Sequence, residues 1–173
     1  KFNEKKNKIV YAGLAADILH EGHINILKQA NKLGDVVVGL LTDKAIASYK
    51  QLPLLNYNQR QSVLKNIKFV KKVIPQKTLD YRPNLIKLKP HFVIHGNDWK
   101  KGIQKKTRSQ VIKTIKKWNG KLVEPSYTKN ISSSSIKNKI LEFSNIHQNR
   151  VSRLKRLLLS KDIVRILESH NSL

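Results

Sequence analysis

Asp35-Val-Val-Val-Gly-Leu-Leu41 carries one charge at its start and none after it. A strand with one wet face alternates apolar and polar residues. A continuous β-branched run instead belongs to a strand covered on both faces, as in parallel sheets. Ahead of it, Ile24, Leu27, Ala30 and Leu33 recur at near-helical spacing, with Gly34 as a helix stop. Lys8–Ala12 reads as a short buried strand. Strand, helix, strand is a βαβ unit, for which a right-handed crossover is expected.

The alternation continues along the chain. Helical patterns are predicted over Asn58–Ile67, Asn84–Leu88 and Lys105–Trp118, the last with Val111, Ile112, Ile115 and Trp118 on one face. Strands are predicted at Phe69–Ile74, closed by Pro75, at Phe92–His95, ending at Gly96, and at Lys121–Val123 after an Asn119-Gly120 turn. Ile136, Ile140 and Phe143 mark a helix after a serine run. The fold class is α/β: a Rossmann-like, doubly wound parallel sheet of about five strands with helices on both faces. In such sheets ligands bind at the carboxyl ends of strands. The segments 13–23, 42–50, 95–102 and 124–135 all follow strands and therefore share that edge.

Residues 1–143 make one domain, and the character changes from Ser144. Asn149–Leu159 carries Val151, Leu154, Leu157 and Leu158 at helical spacing. Ser160 reads as the N-cap of a second helix with Ile163, Val164, Ile166 and Leu167. This 144–173 extension is too short for its own core. It packs on the domain, drives self-association, or opens a further domain.

Composition narrows the function classes. With 39% hydrophobic residues, the 173-residue chain can bury a core, and it has no cysteine for disulfides or thiolate metal sites. No apolar run reaches membrane-spanning length and the start, KFNEKKNK, is polar, so a cytoplasmic protein is expected without a membrane partner. The net charge of +24, from 35 Lys+Arg against 11 Asp+Glu, suits a nucleic-acid binder or an enzyme with polyphosphate substrates. It is also what compositional drift produces. Lysines are spread throughout, and aromatics are only 6%, with no basic-aromatic stripe for base stacking, so nucleic acid is the weaker reading.

Four segments carry chemistry. In His20-Glu-Gly-His23 both imidazoles fall where a strand gives way to a helix, whose free N–H groups suit a phosphate. Gly22 lets the backbone approach a ligand closely. Zinc is excluded by spacing, since the protease motif places its histidines at i and i+4. Lys44 and Lys50 follow the second strand and offer mobile positive charge. His95, Gly96, Asp98 and Trp99 follow the fourth strand and can line a base or ribose pocket, or form an ordinary turn. Ile131, Ser132, Ser133 and Ser134 precede a helix, where hydroxyls and N–H groups would hold phosphates. A plain N-cap needs only one serine.

HxGH followed by ISSxxI resembles the cytidylyltransferase group of the nucleotidyltransferase superfamily over roughly residues 8–143. Within it, YAGLAADILHEGHINILKQANKLGDVVVGLLTDKAIASYKQLP, TLDYRPNLIKLKP and HGNDW are similar to the cytidylyltransferase domain fused to phosphoenolpyruvate mutase in phosphonate biosynthesis. RLKRLLLSKDIVRILESHNSL resembles the opening of such a mutase domain, without the mutase catalytic apparatus. The resemblance implies transfer of CMP from CTP to a small alkyl phosphonate, such as 2-aminoethyl- or 2-hydroxyethylphosphonate, with Mg²⁺, and a homodimer. It implies that His20 and His23 stabilise the transition state, with Lys50 and Lys44 neutralising phosphate charge. Nucleotide binding is implied for Gly13, Ala15, Asp17, Gly22, His95, Gly96, Asp98, Trp99, Ile131, Ser132, Ser133 and Ser134, with Asp17 also at the metal. Arg60, Tyr81 and Arg82 are expected at the acceptor. The chain departs from the group at Lys129-Asn130, where an acid-Gly pair is usual, and at Ala15-Ala16-Asp17, where phosphocholine-type enzymes have Thr-Phe-Asp. The nearest alternative acceptor is a phosphate monoester: glycerol 3-phosphate, phosphocholine or phosphoethanolamine.

Overall fold

The computed structural model describes residues 8–100, 104–126, 132–133, 135–136 and 147–160. Five strands form one sheet: β1 (Ile9–Leu14), β2 (Asp35–Leu41), β3 (Lys72–Gln76), β4 (Phe92–Ile94) and β5 (Lys121–Val123). Their order is β3-β2-β1-β4-β5 and every pairing is parallel. The helices are α1 (Glu21–Leu33), α2 (Asp43–Ala47), α3 (Tyr57–Lys65), α4 (Arg82–Leu88), α5 (Lys105–Ile115) and α6 (His147–Ser160). The doubly wound α/β architecture expected from the alternation is the one observed.

The sheet explains why DVVVGLL is apolar throughout. β2 sits between β1 and β3, and Val36, Val38 and Leu40 enter a core layer with Val10, Ala12, Leu27, Ala30 and Leu64. On the opposite face Tyr11, Val93, Leu85, Val111 and Ile115 form a second layer. Gly39 is required by that second layer. A β-carbon there would fall on the hydroxyl of Tyr11, its neighbour across the parallel pair.

Several boundaries differ from the sequence expectation: the first strand runs on to Leu14, the helix expected to Ile67 ends at Lys65, and the next begins at Arg82. The third strand runs Lys72–Gln76, with Pro75 inside it and not closing it. β3 pairs only with β2 and forms a sheet edge, where a missing N–H is tolerated. Phe69 and Val70, expected in that strand, pack on the core from the turn before it. The segment after β2 contains α2, capped by Thr42 accepting from the Ala45 N–H at 3.2 Å. The fifth helix ends at Ile115 and tightens into a 3₁₀ turn over Lys116–Trp118.

In the extension, α6 lies against α2. Arg153, Arg156, Leu157 and Ser160 form its half-buried face, while Val151, Leu154 and Leu158, expected as its packing stripe, are exposed. The second helix expected after Ser160 lies outside the described residues, as do Ile140 and Phe143. Among the described residues no helix is long and apolar enough to cross a membrane.

Candidate active site at the carboxyl edge of the sheet

β1 ends at Leu14 and the chain crosses the sheet edge before α1 begins at Glu21. Ala16 takes a left-handed φ of 49°, uncommon for a residue with a β-carbon, in this crossing. His20 is the N-cap of α1. Its Nδ1 accepts from the Gly22 N–H at 3.1 Å, and His23 Nδ1 accepts from the His20 N–H at 3.4 Å. Each Nδ1 thus serves as an acceptor, which puts the ring proton of a neutral imidazole on Nε2. The two rings lie with centroids 4.0 Å apart.

Burial, then the neighbouring His20 and the Lys50 ammonium, push His23 down to about 3. Burial also lowers His20. Near pH 7 the helix start therefore presents two neutral Nε2–H donors beside a lysine. Lys50 follows α2 at the same end of the sheet, with its Nζ 5.5 Å from the Tyr49 ring centroid, and its charge contributes to lowering His23. Lys44 stands exposed on α2.

The serine run arrives at the same place. Ser133 Oγ donates to the Ile18 carbonyl at 3.1 Å, joining the serine segment to the histidine loop across 115 residues of sequence. Ser132 Oγ accepts from the Ser135 N–H at 3.0 Å, so it caps a helical turn. Ile131 and Ser134 lie outside the described residues, as does the Lys129-Asn130 departure.

Asp17 is buried, and its Oδ1 accepts from the Leu54 N–H at 2.5 Å. Gly13, next to the end of β1, lies against the Tyr81 ring, which leaves no space for a side chain there. Gly22 is buried within the first turn of α1. His95 donates from Nδ1 to the Gly96 carbonyl at 2.9 Å and stacks on Trp99 at 4.0 Å, nearly parallel. Trp99 is itself buried, and its Nε1 donates to Glu124 at 2.7 Å. The Asp98 side chain lies outside the described residues.

The three residues expected at the acceptor are all engaged within the fold, two of them buried. Arg60 is fully buried, and its guanidinium donates to the carbonyls of Ala15 (2.6 Å), Leu41 (2.8 Å) and Leu55 (3.1 Å) and to Asp43 (2.6 Å). It ties strand ends together and has no donor fork left for an acceptor. The Ala15 carbonyl is thus held by Arg60. Tyr81 is buried edge-to-face on Tyr11, at 5.9 Å. Arg82 is exposed, but its guanidinium is paired with Asp80 at 2.7–2.9 Å and holds that carboxyl below the usual range.

Sequence reading missed Glu124, Asp43 and Arg156. Glu124 follows β5 and receives Arg108 at 2.7 and 2.8 Å besides Trp99, which brings it to about 2. The only sequence signal for it was an acid directly after a strand in an acid-poor chain.

A five-stranded parallel sheet with two helix-start imidazoles and a serine-capped turn at its carboxyl edge defines a Rossmann-like α/β domain. The chain belongs to the cytidylyltransferase-like family, whose model matches residues 11–139. It is 31% identical over 150 residues to an ethanolamine-phosphate cytidylyltransferase of Dictyostelium discoideum, covering 86% of this chain and 41% of that enzyme. It is 30% identical to an FAD synthase of Picrophilus torridus, covering 80% of this chain and 99% of that one. Among solved structures, a lipopolysaccharide core biosynthesis protein of Thermoplasma volcanium superposes with a TM-score of 0.59 at 26% identity, over 72% of this chain and 98% of that one.

Proposed function

We propose that the chain is a cytidylyltransferase that moves CMP from CTP to a small alkyl phosphonate and releases pyrophosphate. The observation that carries the transfer chemistry is the pairing of His20 and His23 at the start of α1, with Ser133 tied to the Ile18 carbonyl just before it. A phosphonate oxygen attacks the α-phosphorus of CTP as the bond to the pyrophosphate oxygen breaks. That oxygen is already anionic, so no strong base is required. The barrier is the approach of one anion to another, and it is lowered by positioning and charge neutralisation. The Nε2–H groups of His20 and His23 would donate to the α-phosphate as charge builds, Lys50 and Lys44 would neutralise it, and the serine turn would hold the distal phosphates.

Mg²⁺ belongs to the same proposal. Among the described residues no group of three or more His, Asp or Glu side chains is placed to hold a metal. Asp17 and Glu21 are the two acids of segment 13–23, which fits an ion bound mainly by the triphosphate. His95 and Trp99 would flank the nucleoside, and Arg82 would meet the acceptor dianion by exchanging Asp80 for it. A cytoplasmic homodimer is part of the reading.

The phosphonate acceptor rests on the AADILHEGH and TLDYRPN segments and on the mutase-like character of residues 144–173. The likeness to an ethanolamine-phosphate cytidylyltransferase supports a phosphate monoester instead. Pyrophosphate release separates the two when CTP is supplied with 2-aminoethylphosphonate, 2-hydroxyethylphosphonate, phosphoethanolamine, phosphocholine or glycerol 3-phosphate. ATP in place of CTP tests nucleotide preference. His23→Ala should keep the circular-dichroism spectrum and lose about 10²–10³ in kcat, the usual effect of removing one such donor. Near-normal turnover by that variant sinks the mechanism.

A further inference from the structure

Lys50 is held between two anchors. Its backbone N–H donates to the Ile46 carbonyl of α2 at 3.0 Å. Downstream, Leu54 is gripped on both sides of its backbone: its N–H donates to Asp17 at 2.5 Å, and its carbonyl accepts from Arg156 of α6 at 2.7 Å. Arg156 also lies 3.5 Å from Asp43 Oδ2 on α2, and Oδ1 of the same carboxylate binds Arg60 at 2.6 Å. Arg60 in turn holds the Leu55 carbonyl. One side chain, Arg156, touches both the upstream anchor and the downstream one.

We infer that Arg156 is a positioning residue for the transfer site: from the C-terminal helix it clamps segment 49–55 and thereby sets Lys50 beside His23. This rests on the role proposed for Lys50. An exposed ion pair alone would be weak support, since such pairs contribute little. Here the guanidinium is about three-quarters covered, and its Nε is buried without an acceptor. The contact with Leu54 spans 102 residues of sequence, so α6 is a working part of the domain and not a trailing linker.

The test uses the full chain. In Arg156→Gln, amides of residues 49–55 should exchange with deuterium at least roughly tenfold faster, with the β1 and β2 amides unchanged. kcat/KM for CTP should fall about tenfold, because sub-ångström misplacement of a charge-neutralising group is costly. In a Lys50→Ala background the same substitution should cost less than about twofold, since it acts through that lysine. Arg156→Lys, which keeps a donor for Leu54 but not the fork, should recover part of the protection. Unchanged exchange overturns the clamp, and full additivity with Lys50→Ala overturns its link to the site. A wild-type chain that releases no pyrophosphate from CTP with any acceptor would instead refute the transfer reading, and the exchange comparison would still decide whether Arg156 holds the loop.

Discussion

His20 and His23 show how a local spacing becomes a chemical state. A capping pair that accepts backbone N–H groups on both Nδ1 atoms leaves two neutral donors, and burial keeps them neutral. The pH consequence follows in sign. His23 folds with a value near 3, while the unfolded chain titrates near the ordinary 6.5. Between those values the unfolded state binds the extra proton, so folding stability falls as pH drops below about 6.5. His23→Asn should flatten that fall between pH 6.5 and 5 in thermal melts. Arg60 makes the opposite kind of statement: a buried charge whose three nitrogens all donate into the fold. Arg60→Met would leave three carbonyls without that partner and Asp43 with only the longer Arg156 contact, and breaking such a buried pair typically costs about 3–5 kcal/mol. Urea denaturation measures it. The histidines were legible because their partners lie within three residues. Arg60 was not, because its partners lie up to 45 residues away and only the fold joins them.

Elements followed their hydrophobic patterns where burial was one-sided or complete, and departed where an edge or a cap intervened. α1 and β2 fell where their stripe and run predicted. β3 shifted because an edge strand tolerates the proline that a central strand would reject. α2 has only five residues, too few to show a period, and a threonine cap is its local signature. The pairing of β1 with β2 carries a sharper test. Gly39→Ala places a methyl on the Tyr11 hydroxyl, an overpacking expected to cost about 1–3 kcal/mol. Tyr11 also donates to Gln76 and accepts from Asn84, so Tyr11→Phe carries its own cost of about 1 kcal/mol. Because the ring Cζ also crowds that β-carbon, the obstacle goes only with the ring, and in a Tyr11→Leu background Gly39→Ala should cost measurably less. Equal costs in a chemical-denaturation cycle would show that the strain lies elsewhere.

At the scale of the whole molecule the charge is the dominant quantity. A chain at +24 surrounds its edge site with a positive field, which attracts a triphosphate and is screened by salt. KM for CTP should therefore rise several-fold between about 0.05 and 0.5 M NaCl, with kcat changing less. A salt-insensitive KM would assign the charge to composition alone. The alternation of apolar runs and stripes determined the parallel sheet, since period and burial are written locally in a βαβ chain. The same reading placed the histidines, lysines and serines on one edge, because parallel strands put all their carboxyl ends together. The tertiary structure alone decided which polar groups are free for chemistry and which are consumed by the fold. Arg60 proved to be an internal tie, and Arg156 reached the Leu54 carbonyl from the C-terminal helix. Burial and partnership are properties of the space between elements, and no local pattern encodes that space.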